Sequence, residues 1–204
     1  MTAKPTSLSV LVLVAALLGY GATHGVPDNA CTVGGPLEVY STPDRLPATA
    51  AQCDVIYKKE DWQLTPTIIY TGASPHNTYT LFMIDPDAPD RPPGIYYLHY
   101  IVANIPGKDF QSGDLSRGTI LCSYQGPAPP AGTGLHRYMF YVYHHVPSSG
   151  RLPMSLTVEQ AEREFFNLSG YMRRAARQGV QLRGPLSGVQ FRSAFRIPAE
   201  EQIV

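Results

Sequence analysis

Two stretches of this chain carry the residue types of a small polar pocket. The first, Thr80-Leu-Phe-Met-Ile-Asp-Pro-Asp-Ala-Pro-Asp-Arg91, is an apolar run that stops on Asp85 and Asp87, two carboxylates held between prolines. The second, Gly132-Thr-Gly-Leu-His-Arg-Tyr138, is a glycine-rich turn that delivers His136 and Tyr138 into another apolar run. His99 lies in a third, Tyr97 to Asn104. Imidazole and phenol groups are hydrogen-bond donors suited to a phosphate or a carboxylate. Two histidines with one carboxylate are also a metal-ligating set.

Side chains alternate across a strand, so parity decides which groups share a wall. Asp85 has the parity of Leu81 and Met83, His99 that of Tyr97 and Ile101, and His136 that of Tyr138, Phe140 and Val142. Each polar group thus ends an otherwise apolar row. A core tolerates this only where the groups bond one another or a ligand. Singly, an Asp before Pro is a turn former and a strand His a satisfied half-buried residue. The joint pattern is what points to a pocket.

Pro86 and Pro89 fix the backbone around Asp87. Pro129 and Pro130, with Gly132 and Gly134, make a stiff loop whose N–H groups are placed to form an anion-binding nest. Asp85 either holds an imidazole in its donor state or meets an ammonium group on a zwitterionic ligand. The second option suggests a phosphoethanolamine-like head group.

The elements that must position these groups are strands. Leu37 to Tyr40, Asp54 to Lys58, Thr67 to Thr71, Tyr79 to Ile84, Tyr97 to Asn104, Thr119 to Tyr124 and Arg137 to His145 have strand composition, with turn residues between them. One helix or two short ones are expected between Thr157 and Gln178, with a capping box at Thr157 to Gln160, Asn167 as a second N-cap and Gly179 as a stop. Gly184 to Phe195 returns to strand character. The expected fold is mainly β, a β-rich α+β single domain: an antiparallel β-sandwich with one or two short helices near the C-terminus.

With 204 residues the chain suffices for one substantial core. Sixteen basic and sixteen acidic residues cancel, and no basic stripe is evident, so nucleic acid is not an expected partner. Lys4 followed by the apolar run Leu8 to Leu18 and small residues to Gly25 reads as a signal peptide, with cleavage after Gly21 or Gly25. The run is short of the ~20 residues of a membrane span. A secreted, extracellular domain over residues 26–204 with no transmembrane segment is therefore expected. In an oxidising compartment Cys31 and Cys53, both in the loop-rich N-terminal part, are the expected disulfide. Cys122, in a strand-like run, is expected to be a buried thiol. Asn167-Leu-Ser169 is a glycosylation sequon.

The motifs Asp85-Pro-Asp-Ala-Pro89, His99 with the strand to Asn104, and Pro129-Pro-Ala-Gly-Thr-Gly-Leu-His-Arg-Tyr138 leading into Tyr141-Val-Tyr143 resemble the phosphatidylethanolamine-binding protein family. A weaker match runs from Arg163-Glu-Phe-Phe-Asn-Leu168 to Gly184-Pro-Leu-Ser-Gly188. The resemblance spans about Pro66 to Phe195. It implies a β-sandwich with an anion pocket at one end, lined by Asp85, Tyr97, His99, Pro129, His136 and Tyr138, with Asp87 in the supporting loop. His99 and His136 would donate to a phosphate and Tyr138 would add a hydroxyl. Relatives often carry Trp at the position of Tyr97, two histidines at Leu98-His99, glycine at Ala128, and a long helix beyond the position of Phe195.

The function expected on these grounds is non-enzymatic binding of a phospholipid head group or another small phosphorylated or zwitterionic ligand, with no cofactor. No serine elbow or nucleophile is evident beside the histidines. The alternative is an inhibitor or signalling ligand that meets a protease, kinase or receptor through its surface, the loop Asp87 to Tyr96 being the expected contact. A metal enzyme using Asp85, His99 and His136 ranks third.

Overall fold

The computed structural model describes residues 26–197. The expected signal peptide, residues 1–25, and the chain end from Pro198 lie outside the described residues. Ten strands form: β1 (Leu37–Tyr40), β2 (Pro47–Ala48), β3 (Val55–Ile56), β4 (Thr67–Tyr70), β5 (Thr78–Asp85), β6 (Ile95–Pro106), β7 (Thr119–Cys122), β8 (His136–Val146), β9 (Phe166–Asn167) and β10 (Gln181–Ser193). Two short α-helices, α1 (Gly107–Phe110) and α2 (Leu168–Arg177), and several 3-10 turns make up the rest of the regular structure among the described residues.

A three-stranded sheet, β2-β1-β4, faces a seven-stranded sheet ordered β3-β10-β8-β5-β6-β7, with β9 added at the start of β6. The pairs are antiparallel except for β3 alongside β10, a short parallel edge. Alternation along the central strands feeds two cores. Leu81 and Met83 of β5 join Phe140 and Val142 of β8 under Leu37, Val39 and Ile68 of the small sheet. Phe82 and Ile84, with Met139 and Tyr141, pack on the other face beneath Leu168, Tyr171 and Met172 of α2. This is the expected sandwich, its second face closed by a helix.

One parity expectation fails. Met83 pairs with Tyr100, but Ile84 pairs with Leu98, so His99 is the extra residue of a β-bulge. A bulge puts two consecutive side chains on one side of the strand and reverses the alternation beyond it. His99 keeps company with Tyr97, as parity predicts, but Ile101 turns to the helix-covered core. The capping box is also displaced. Glu159, not Thr157, begins it, with its N–H donating to Glu162 Oε2 at 3.1 Å, and it opens a 3-10 turn, Gln160–Phe165. Asn167 caps α2, its side-chain oxygen accepting from the Gly170 N–H at 2.7 Å. The sequon asparagine is exposed.

Cys31 and Cys53 form a disulfide across the N-terminal loops. Cys122 is a free, buried thiol, and burial pushes its pKa up to about 11. It behaves as a small apolar group. No helix among the described residues is long and apolar enough to cross a membrane.

Candidate functional site

The strand ends converge as antiparallel pairing requires. β5 runs into Asp85, β8 begins at His136 beside it, and Tyr97 of β6 is the partner of Asp85 in the ladder. Around them lies a cavity of about 350 Å³. Asp85, Tyr97, His99, Pro129, His136 and Tyr138 all line it. Asp87 does not. Its carboxylate faces Arg137, accepting from the guanidinium at 2.6 and 2.8 Å and from the Arg137 N–H at 2.9 Å. Burial alone would raise the Asp87 pKa, but the bonds to Arg137 outweigh it and hold the carboxyl below its ordinary range. Asp87 thus ties the proline loop to β8, a supporting task.

Aromatic rings carry the site from the core to the surface. Trp62 stacks on Phe191 with centroids 4.1 Å apart, Phe191 on Tyr138 at 5.1 Å, and Tyr138 meets His99 edge-on at 5.1 Å. His99 lies 4.9 Å from Tyr97, and the Arg91 guanidinium sits over the Tyr97 ring at 5.5 Å and the Phe165 ring at 5.4 Å. Such contacts fix ring orientation beyond what apolar burial alone would do. The mouth is therefore a cation held between two aromatic faces, and Phe165 is 61% exposed there.

Deeper in, Asp85 Oδ1 accepts the N–H groups of Asp87 at 2.7 Å and Ala88 at 3.1 Å, and Oδ2 meets His136 Nδ1 at 2.7 Å. His136 Nε2 lies 2.7 Å from the Thr133 hydroxyl, which itself donates to the Pro130 carbonyl at 2.8 Å. Thr133–His136–Asp85 has the outline of a nucleophile, base and carboxylate chain. Proton counting argues against that use. The single Thr133 proton goes to Pro130, so Nε2–H donates to Thr133 while Nδ1–H donates to Asp85. His136 is then an imidazolium in a buried ion pair. It has no vacant base position, and neither of its nitrogens is directed at a ligand.

His99 is the complementary case. Nδ1–H donates to the Gln125 carbonyl at 2.7 Å, and Nε2 has no hydrogen-bond partner. Burial, chiefly, pushes its pKa down to about 4, against the raising influence of Asp85 and the Gln125 bond. The ring is neutral near pH 7 and presents a lone pair at Nε2. Asp85, His99 and His136 do not form a metal-ligand set, because the pair Asp85–His136 is closed on itself. No cluster of three His, Cys, Asp or Glu suited to a metal ion occurs among the described residues.

A family model described as phosphatidylethanolamine-binding protein matches residues 39–186. The chain belongs to the phosphatidylethanolamine-binding protein family. The 26 kDa secreted antigen of Toxocara canis is 37% identical to it over 110 residues, 52% of this chain and 39% of the antigen. The chain thus spans well under half the length of that curated relative. The phosphatidylethanolamine-binding protein from Plasmodium vivax has a similar fold, with TM-score 0.53 and 21% identity over 85% of this chain and 92% of that one. A carboxypeptidase Y inhibitor, solved with its cognate proteinase, has TM-score 0.53 and 18% identity over 80% of this chain and 84% of that one.

For this member of the phosphatidylethanolamine-binding protein family, sequence reasoning assigns no role to several residues that build the site: Gln125, Thr133, Arg91 and Arg163. Gln125 sits one residue before Gly126, whose α-carbon passes so close to the Trp62 turn that a Cβ would lie 2.8 Å from Trp62 O and Gln63 Cα. Gly126→Ala is expected to cost about 1–3 kcal/mol by forcing these backbones apart. Because the Gln125 carbonyl holds His99, the substitution should also shift the His99 ring signals. Thermal unfolding and imidazole spectra check both.

Proposed function

We propose that the protein is a secreted, non-enzymatic binding protein whose cavity takes phosphate or a phosphatidylethanolamine-type head group, free or on a lipid. The observation that carries this reading is His99 Nε2: a buried polar atom in the cavity wall, oriented by Gln125, with no partner in the protein. Most buried polar groups are hydrogen-bonded, and an unpaired one that lines a cavity is open to a partner there. Binding without chemistry is supported by the closed Thr133–His136–Asp85 chain, in which every proton already has an acceptor. Export is supported by the Cys31–Cys53 disulfide and by the secreted relative.

A neutral His99 accepts at Nε2, so a phosphate must bring the proton as P–OH or the ring must take one up. Either route couples binding to protonation. Affinity for phosphate is therefore expected to rise as the pH falls from 7 toward about 4, the value to which burial holds the free ring. Titration of the protein with phosphoethanolamine, following histidine resonances at two pH values, tests this. Movement of His99, larger at the lower pH, is the expected result. Unmoved His99 signals at millimolar ligand would remove the proposal.

A surface role as a protease inhibitor or signalling ligand is the second reading. It is favoured by the exposed Phe165 and the proline loop from Pro89 to Gly94 beside the mouth. The fold of the carboxypeptidase Y inhibitor is compatible with it. Inhibition lost on Phe165→Asp but kept on His99→Gln would favour this reading over the first.

A further inference from the structure

Arg163 is 3% exposed and lies on a 3-10 turn whose next two residues line the cavity, yet it is in no salt bridge among the described residues. Its NH1 donates to the carbonyls of Leu98 and His99, both at 3.2 Å. Its NH2 donates to the Ser123 carbonyl at 2.6 Å and the Ser123 hydroxyl at 2.8 Å. The Nε–H meets no protein acceptor. Among the described residues no carboxylate forms an ion pair with it. A buried guanidinium is costly to desolvate, and carbonyl dipoles offset only part of that cost.

Charge counting around the cavity gives this arginine its importance. Asp85 is cancelled by the His136 imidazolium at 2.7 Å, and Asp87 by Arg137 at 2.6 Å. At the mouth Asp90 and Glu164 are exposed and Arg91 is half-buried between its two rings, so water and salt screen these charges more than one buried behind the wall. What remains behind the wall is one unneutralised positive charge, on Arg163. It is attached to the backbone of His99 itself, and through Ser123 it also holds the segment that leads to Gln125. The two residues after it, Glu164 and Phe165, are part of the lining.

We infer that Arg163 is the specificity-determining and positioning residue of the cavity: its buried charge selects an anion, and its fork fixes the His99 bulge against the Ser123 segment. The inference rests on the proposed binding function and adds the group that sets the sign of the ligand. A fork is needed because one planar group must reach two neighbouring carbonyls on β6 and a third beyond β7. The charge also acts on His99, whose pKa it helps to lower, alongside His136 and against Asp85.

The test uses purified protein carrying Arg163→Met or Arg163→Lys, with inorganic phosphate and ethanolamine as probes and the His99 resonances as readout. Arg163→Met should weaken phosphate binding by at least about ten-fold, without weakening ethanolamine binding, and should move the His99 titration to higher pH. Arg163→Lys keeps the charge and loses the fork, so its phosphate affinity should fall by less, about three-fold. Equal losses in both variants with an unmoved His99 titration would reduce Arg163 to a structural pin and overturn the inference. If Arg163→Met does not fold, Arg163→Lys decides: a ten-fold loss of phosphate affinity overturns it. Absence of phosphate binding by the unsubstituted protein would instead sink the proposed function. Normal binding with an indifferent Arg163→Met sinks only this inference.

Discussion

Asp85→Ala is expected to destabilise the fold by about 3–5 kcal/mol, the usual cost of removing one partner from a buried ion pair. Asp85 and His136 are both almost fully buried, 2.7 Å apart. Without the carboxylate the His136 imidazolium has no counter-charge, and the N–H groups of Asp87 and Ala88 lose their acceptor. His136→Ala should cost a similar amount for the mirror reason, since it leaves Asp85 unpaired. The double variant should be much less destabilised than the sum, because neither charge is then stranded. Urea unfolding of the four proteins measures the coupling. Additive losses, or a loss under about 1 kcal/mol for Asp85→Ala, would mean that His136 is neutral and the contact an ordinary hydrogen bond.

The sandwich was legible because its strands are rich in β-branched and aromatic residues and stop at prolines, glycines and aspartates. Leu37–Tyr40 emerges with its predicted limits, and the chemistry-bearing ends of β5 and β8 meet as their motifs imply. Two-residue strands such as Pro47–Ala48 and Phe166–Asn167 leave no periodicity to read. The bulge at His99 was invisible for a different reason. It is created by pairing with β5, and nothing in the local sequence marks which residue becomes the extra one.

The site divides in the same way. Groups at the ends of apolar rows stand out, and six of the seven predicted ligand residues line one cavity. Asp87 could not be told from Asp85 by type or spacing; only the position of Arg137 decides that one carboxylate faces inward and the other is clamped. Arg163 gave still less warning. It heads the weaker family match, but nothing in Ala161-Glu-Arg-Glu-Phe165 marks it as buried; its burial is a tertiary fact, set by the 3-10 turn that lays it across β6.

Stability should fall steeply as the pH is lowered from about 6.5 toward 4. His99 and His145 are both buried, and burial, chiefly, pushes each to about 4 from an ordinary value of 6.5. His145 is a structural counterpart to His99: Nδ1–H donates to the Gly150 carbonyl at 2.7 Å, so Nε2 accepts from the Thr80 hydroxyl at 2.7 Å. Above pH 6.5 both rings are neutral in the folded and unfolded chain, and neither contributes to pH dependence. Below it the unfolded chain takes up two protons that the fold refuses until about pH 4. Each ring then costs up to about 3 kcal/mol, accumulated across that window. The slope near pH 5 should approach about 2.7 kcal/mol per pH unit, a large fraction of a typical domain's total. Asp87 does not blur the signal, because its lowered pKa puts its own loss below this window. His145→Gln, which keeps an amide donor and acceptor, should halve the slope and leave the other half to His99. Phosphate should then reduce that remaining half, because an anion in the cavity favours the protonated ring. Urea unfolding between pH 7 and 4 reads all three outcomes. A flat profile between pH 6.5 and 4.5 would show that His99 is not held neutral in the fold, and the lone pair on which the binding proposal depends would be gone.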